Sequence, residues 1–260
     1  MSAPASLPNF RLDGQVALVT GAARGLGRAI ALALADAGAD VALGLRDAAS
    51  GDDLAADIEA LGRRAVALQM DVGDLSQIRT AVDTAAEQLG RLDILVNNAG
   101  IAPGNPAEDV TEADFDATVA INLKGTFFAS QAAGRHMIEQ GTGGRIVNLG
   151  SQAGAVALPG EAIYCMTKAG IAHLTSCLAI EWGRHGINVN AVAPTFINTP
   201  GTETALADPA FRADVEERIA ALHRIGEPVE VAGAVVFLAS PAASLITGET
   251  LLIDGGWTAR

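Results

Sequence analysis

Several residue types that usually carry function are nearly missing from this chain. It holds two cysteines (Cys165 and Cys177), one tyrosine (Tyr164) and two lysines (Lys124 and Lys168). The cysteines lie in one helical stretch. At about 1.5 Å rise per residue they stand some 18 Å apart along its axis, too far for a disulfide. Cations are scarce as well: 17 Lys+Arg face 30 Asp+Glu, a formal charge of −13. That deficit excludes a nucleic-acid partner, whose phosphates need clustered cations, and adsorption to an anionic membrane. His136, His173, His185 and His223 show no metal-ligand spacing, so no metal site is expected. Residues 1–13 have neither a basic start nor an apolar core, which argues against a secretory signal. The uncharged run 231–248 is broken by Ser240-Pro241 and falls short of the ~20 apolar residues that a membrane span needs. A reduced, cytoplasmic protein is expected.

What is present is apolar and evenly spread. Half of the 260 residues are hydrophobic and 18% are charged, as suits one large α/β domain over 1–260 with a loose N-terminal arm at 1–11. Strand-like runs recur at 16–20, 41–45, 65–70, 92–96, 145–149, 188–192 and 250–253. Most are apolar throughout, as in strands covered on both faces. Between several of them lie helical stretches, including 26–37, 50–61 and 75–89, followed by Gly38, Gly62 and Gly90. Alternation of this kind predicts a doubly wound, mostly parallel seven-stranded sheet with helices on both faces. Ligands of such sheets bind at the carboxyl ends of the strands, so the residues after each strand are the informative ones.

After the first strand comes Thr20-Gly21-Ala22-Ala23-Arg24-Gly25-Leu26-Gly27, opening straight into a helix. A tight glycine turn beneath free helix N–H groups is a pyrophosphate site, with Gly21, Arg24, Gly25, Leu26 and Gly27 at the phosphates. The second strand ends at Leu45 rather than at a carboxylate that would take ribose hydroxyls, and Arg46 follows it. Arg24 and Arg46 together can clamp a 2′-phosphate, which favours NADP over NAD, although Asp47 can serve a ribose diol if its loop bends. Asp71-Val72 follows the third strand, where a carboxylate can accept from the adenine amino group; Asp74 is the better helix cap. Asn97-Asn98-Ala99-Gly100 follows the fourth, and its small residues let a flat ligand approach the backbone.

Tyr164, the single tyrosine, and Lys168, one of two lysines, are spaced i, i+4 on one helix face. A phenol ionises near pH 10. An ammonium beside it is expected to lower that value towards the range of a general acid–base group. Ser151, after the fifth strand, can donate to a substrate oxygen and stabilise alkoxide charge.

Together these residues resemble the short-chain dehydrogenase/reductase family, from Leu12 to Trp257. Its Thr-Gly-x-x-x-Gly-x-Gly is Thr20 to Gly27, its Asn-Asn-Ala-Gly is Asn97 to Gly100, its Tyr-x-x-x-Lys is Tyr164 to Lys168, and its Asp-Gly-Gly is Asp254 to Gly256. The resemblance implies a Rossmann-like fold. It implies Tyr164 as proton-transfer group, Lys168 on the nicotinamide ribose and Ser151 as carbonyl polariser, so that Ser151 and Tyr164 touch substrate. Asn122 would hold a water of a proton relay. Pro194, Ile197 and Thr199 would clasp the carboxamide, with Thr195 in place of the family's glycine; Gly150 stands where a second serine is usual. The resemblance also implies a homotetramer built on the stretches 111–140 and 162–184.

Residues 201–223 are acidic and alanine-rich and are expected to form a substrate lid. With only Arg212, Arg218 and Arg224 nearby, no cation cluster suits a phosphopantetheine arm. The small-molecule substrate expected is therefore a sugar or polyol. A 3-oxoacyl thioester is the alternative, and a non-catalytic NADP sensor a remote one.

Overall fold

In the computed structural model, which describes residues 7–259, the apolar runs form one seven-stranded sheet with the strands β1 (Val16–Thr20), β2 (Asp40–Leu45), β3 (Ala65–Gln69), β4 (Ile94–Asn97), β5 (Gly144–Leu149), β6 (Ile187–Pro194) and β7 (Thr250–Ile253). Every pairing is parallel and the order is β3-β2-β1-β4-β5-β6-β7. Chain direction across the sheet reverses between β1 and β4, so the crevice for a ligand opens at their carboxyl ends.

Side chains alternate across the pleat, and each face therefore needs its own cover. Val19 of β1 packs with Ile30 and Leu34 of α1 (Gly25–Asp36), Ile58 of α2 (Asp52–Ala60) and Val235 and Leu238 further along the chain. Leu18, one residue earlier, faces Ile78 and Val82 of α3 (Leu75–Leu89) on the other side, in a layer that also holds Ala133, Met137 and Leu178. The remaining helices are α4 (Glu112–Val119), α5 (Thr126–Gln140), α6 (Ala162–Trp182), α7 (Glu203–Leu206), α8 (Pro209–Arg218) and α9 (Pro228–Ala239). Asp74 caps α3 by accepting from the backbone N–H groups of Ser76 and Gln77, and Gly38, Gly62 and Gly90 adopt the positive φ that a helix stop requires.

Two expected helices are interrupted. The stretch 50–61 is helical only from Asp52, because Asp47 accepts from Ala49 N–H and caps a separate tight turn at Ala48–Gly51. The stretch 111–140 is one helical rod broken by a π-helical segment, Ala120–Gly125, between α4 and α5. Such a bulge adds a residue to one turn and shifts the faces that follow it.

At the start of the described chain, Asn9 accepts from Ala242 N–H at 3.0 Å and Phe10 lies 6.2 Å from Phe237, ring to ring. The rest of the expected N-terminal arm, residues 1–6, lies outside the described residues. By length and composition the helical stretch Ala162–His185 would cross a bilayer. In this fold it packs against β6 and buries Lys168.

Candidate active site

Gly21 and Gly25 take φ of +65° and +57°, which bends the chain from β1 into α1. Neither the Arg24 cap nor any acidic residue satisfies the first N–H groups of α1, so they face the crevice as an anion site. Gly27 is needed for closeness. A methyl group there would collide with the Gly21 carbonyl oxygen and stand 2.6 Å from Asn98 Nδ2. Gly27→Ala should therefore cost about 1–3 kcal/mol of stability through overpacking and weaken NADPH binding, as read by thermal melting and fluorescence titration. An unchanged melting temperature and affinity would remove this role.

The Asn97-Asn98 pair divides into two structural duties. Asn98 donates to the Thr20 and Gly21 carbonyls at 2.9 and 3.1 Å, while Thr20 Oγ1 accepts from Asn98 and Ala99 N–H, each at 3.0 Å. These bonds lock the ends of β1 and β4 together. Asn97 points into the core and donates to Ser130 and Asn148. Ala99 and Gly100 line the crevice floor: a methyl group at Gly100 would lie 3.8 Å from Lys168 Nζ and 3.3 Å from Asn122 Oδ1. At the opposite wall, a methyl group at Gly25 would touch Thr199 at 3.5 Å. The loop after β6 therefore arches over the glycine turn. Ile197 there is buried, and the Thr199 hydroxyl shares a bond of 3.2 Å with Thr202. Pro194, buried, ends β6.

At the end of β2, Leu45 is buried, whereas Arg46 and Arg24 are exposed. Among the described residues neither guanidinium has a hydrogen-bond or ion-pair partner. Asp71 Oδ1 accepts from Gly73 N–H at 2.8 Å, and Val72 is buried beside it against Gly125.

Tyr164, Ser151, Lys168 and Asn122 converge at the far end. Lys168 Nζ donates to the Leu149 carbonyl at 2.6 Å and lies 5.5 Å from the centre of the Tyr164 ring. Burial lowers its pKa to about 8, so it remains mainly an ammonium at pH 7. The expected lowering of Tyr164 is not what the free chain shows. Burial pushes its phenol above the ordinary value and the charge of Glu161 adds to this, while a hydrogen bond with Ser151 opposes it. Ser151 is buried, accepts from Ala153 N–H at 3.1 Å and donates to Gln152 Oε1 at 3.1 Å. Asn122 is tethered through its side chain: it donates to the Ile101 carbonyl and to Thr167 Oγ1 and accepts from Ile101 N–H. The π-helical segment turns that amide onto the 101 loop. Asn122 Oδ1 and the Asn122 backbone carbonyl, which accepts from Thr126 at 2.8 Å, each keep a second lone pair open to a water.

Residues 201–223 form α7, α8 and their connections. Leu206, Val215 and Ile219 share a small core with Trp257, Phe196, Val156 and Leu158, so the segment rests on the loop that follows Ser151. Two polar side chains here were not among the expected site residues, Gln152 and Glu161. Glu161, one turn before Tyr164, has a buried carboxyl oxygen without a partner among the described residues.

A protein-family model described as Enoyl-(Acyl carrier protein) reductase matches residues 21–258. The chain belongs to the short-chain dehydrogenase/reductase family. It is 44% identical to a D-threitol dehydrogenase of Mycolicibacterium smegmatis, over 97% of this chain and 96% of that protein. It is also 40% identical to a 3-oxoacyl-[acyl-carrier-protein] reductase of Synechocystis, over 94% and 97% respectively. The crystal structure of a gluconate 5-dehydrogenase from Burkholderia cenocepacia with NADP and tartrate superposes with a TM-score of 0.93 at 38% identity, covering 97% of this chain and 98% of that one.

Proposed function

We propose that this chain is an NADP-preferring dehydrogenase that interconverts a secondary alcohol and a ketone on a polyol or sugar. The observation that carries the reading is the meeting of Tyr164, Ser151 and Lys168 at the end of a crevice whose other end holds the glycine turn and two unpaired arginines. The residues present fit the dinucleotide: the uncapped start of α1 and the cradle at Gly21 and Gly27 suit a pyrophosphate, and Arg24 and Arg46 suit a 2′-phosphate. When bound, the nicotinamide supplies the acceptor or donor of a hydride.

The chain's own residues do the rest. In reduction the neutral Tyr164 hydroxyl gives its proton to the carbonyl oxygen; in oxidation the phenolate receives the alcohol proton. Ser151, released from Gln152, donates to that same oxygen and stabilises its developing charge. Lys168 holds ribose hydroxyls and keeps a positive charge near the phenol. Asn122 acts as a positioning residue that fixes the 101 loop beside Lys168. Residues 201–223 cover the substrate. The similarity to a D-threitol dehydrogenase supports a polyol, and so do the ion pairs that occupy the lid-side arginines. Initial rates with NADP⁺ and NAD⁺ across polyols, sugars and simple secondary alcohols test this. Oxidation of polyols with NADP⁺ is expected. Turnover of a 3-oxoacyl thioester with none of any polyol would overturn the substrate class.

The proposed assembly is a homotetramer packed through α5 and α6. A groove between them is lined by Phe127, Ile138, Leu174 and Trp182 together with Arg135 and Glu181, and Ile180 is 85% exposed. Light scattering on the eluted protein measures the mass directly, and a monomer would refute the assembly.

A further inference from the structure

Glu161 occupies the position just before α6, and its side chain makes no cap bond. It points instead towards the loop after β4, where a methyl group at Gly104 would lie 2.9 Å from Oε1. Asn105 N–H donates to the Gly160 carbonyl at 2.8 Å and closes that loop against the start of α6. Oε2 is out of water and, among the described residues, has no partner. Burial raises the carboxyl's pKa, and its charge in turn raises that of Tyr164 one turn away. A buried carboxyl oxygen without a partner calls for one, and Glu161 lies three residues before Tyr164 at the start of the same helix.

The cations near the lid cannot offset that charge. Arg212 pairs with Glu216 at 2.8 Å, Arg218 with Asp214 at 2.7 Å, and Arg224 with Glu230 at 2.6 Å. A substrate that carries its own carboxylate would meet Glu161 without a free guanidinium to receive it, and like charges in a partly desolvated site repel. A neutral polyol has no such conflict, and its second hydroxyl can satisfy the orphaned oxygen.

We propose that Glu161 is a specificity-determining residue, whose carboxyl group holds a second hydroxyl of a neutral polyol beside the carbinol at Tyr164 and disfavours aldonates. This rests on the polyol reading above. The test measures kcat and KM of the wild type, Glu161→Ala and Glu161→Gln with threitol, gluconate and 2-butanol at saturating NADP⁺. Glu161→Ala is expected to raise the KM for threitol, and to lower the threitol to 2-butanol ratio of kcat/KM, by about tenfold, the loss of one hydrogen bond. Glu161→Gln keeps the hydrogen bond and removes the charge, so the gluconate to threitol ratio should rise by about tenfold. Unchanged ratios in both variants overturn the proposal. Equal losses on all three substrates also overturn it, because they mark a residue that only supports the fold. A wild type inactive on every polyol refutes the substrate reading itself before any variant is made, and the role of Glu161 falls with it.

Discussion

Replacing Tyr164 with phenylalanine should lower kcat/KM by about 10²–10⁴-fold, the span of general acid–base catalysis, while NADPH affinity stays within about twofold, since the hydroxyl removed meets the substrate oxygen. The ring remains to pack against Lys168, so folding is preserved. The pH profile gives a second check. Burial holds the phenol above its ordinary value, so the acid form persists through neutral pH and serves reduction directly. Oxidation needs the conjugate base, whose fraction grows as pH climbs towards the raised pKa. The kcat/KM for alcohol oxidation should therefore rise across the alkaline range, and that for ketone reduction should not. Loss of the Lys168 charge above about 8 works against this rise by removing support for the phenolate. Residual activity of the phenylalanine variant with an unchanged alkaline rise would assign the proton to another group.

Much of the frame was legible in residue order, for a physical reason. Runs such as Val16–Thr20, apolar on both faces, suit only a strand covered from both sides, and a chain of such runs with helices between them has few ways to pack. The glycine turn was legible because positive φ and close approach leave little choice of residue at Gly21 and Gly27. Other features arise only through contacts distant in sequence. The segment Ala120–Gly125 reads as ordinary helix, and its π geometry goes with the tether of Asn122 to Ile101, 21 residues earlier. The direction of the Tyr164 shift is not legible in the spacing, which shows that Lys168 is near but not how much water the fold removes. Glu161 carried a signal, since i, i+3 from Tyr164 puts it on the same face. What residue order does not show is that the fold buries one of its carboxyl oxygens without a partner among the described residues.

Removing both Arg24 and Arg46 as alanines should weaken NADPH binding by about 1.5–3 kcal/mol for each charge-assisted bond lost, or roughly 10- to 150-fold per bond, and leave NADH within about twofold. The argument is one of unused capacity. Both guanidiniums are exposed and, among the described residues, unpaired, whereas the lid-side arginines each hold a carboxylate. The tip of β2 offers the buried Leu45, so the direct carboxylate partner that a ribose diol would want is missing there. Asp47, two residues on, already accepts from Ala49 N–H at 3.1 Å as the cap of its turn, and bending it towards a ribose would release that bond. Titrating both cofactors at low and high salt separates the possibilities, because a guanidinium–phosphate attraction is screened and a hydroxyl–carboxylate bond much less so. Equal losses for NADPH and NADH would put the arginines on the pyrophosphate. With no loss for either cofactor and weaker NADH binding in Asp47→Ala, the preference would belong to NAD.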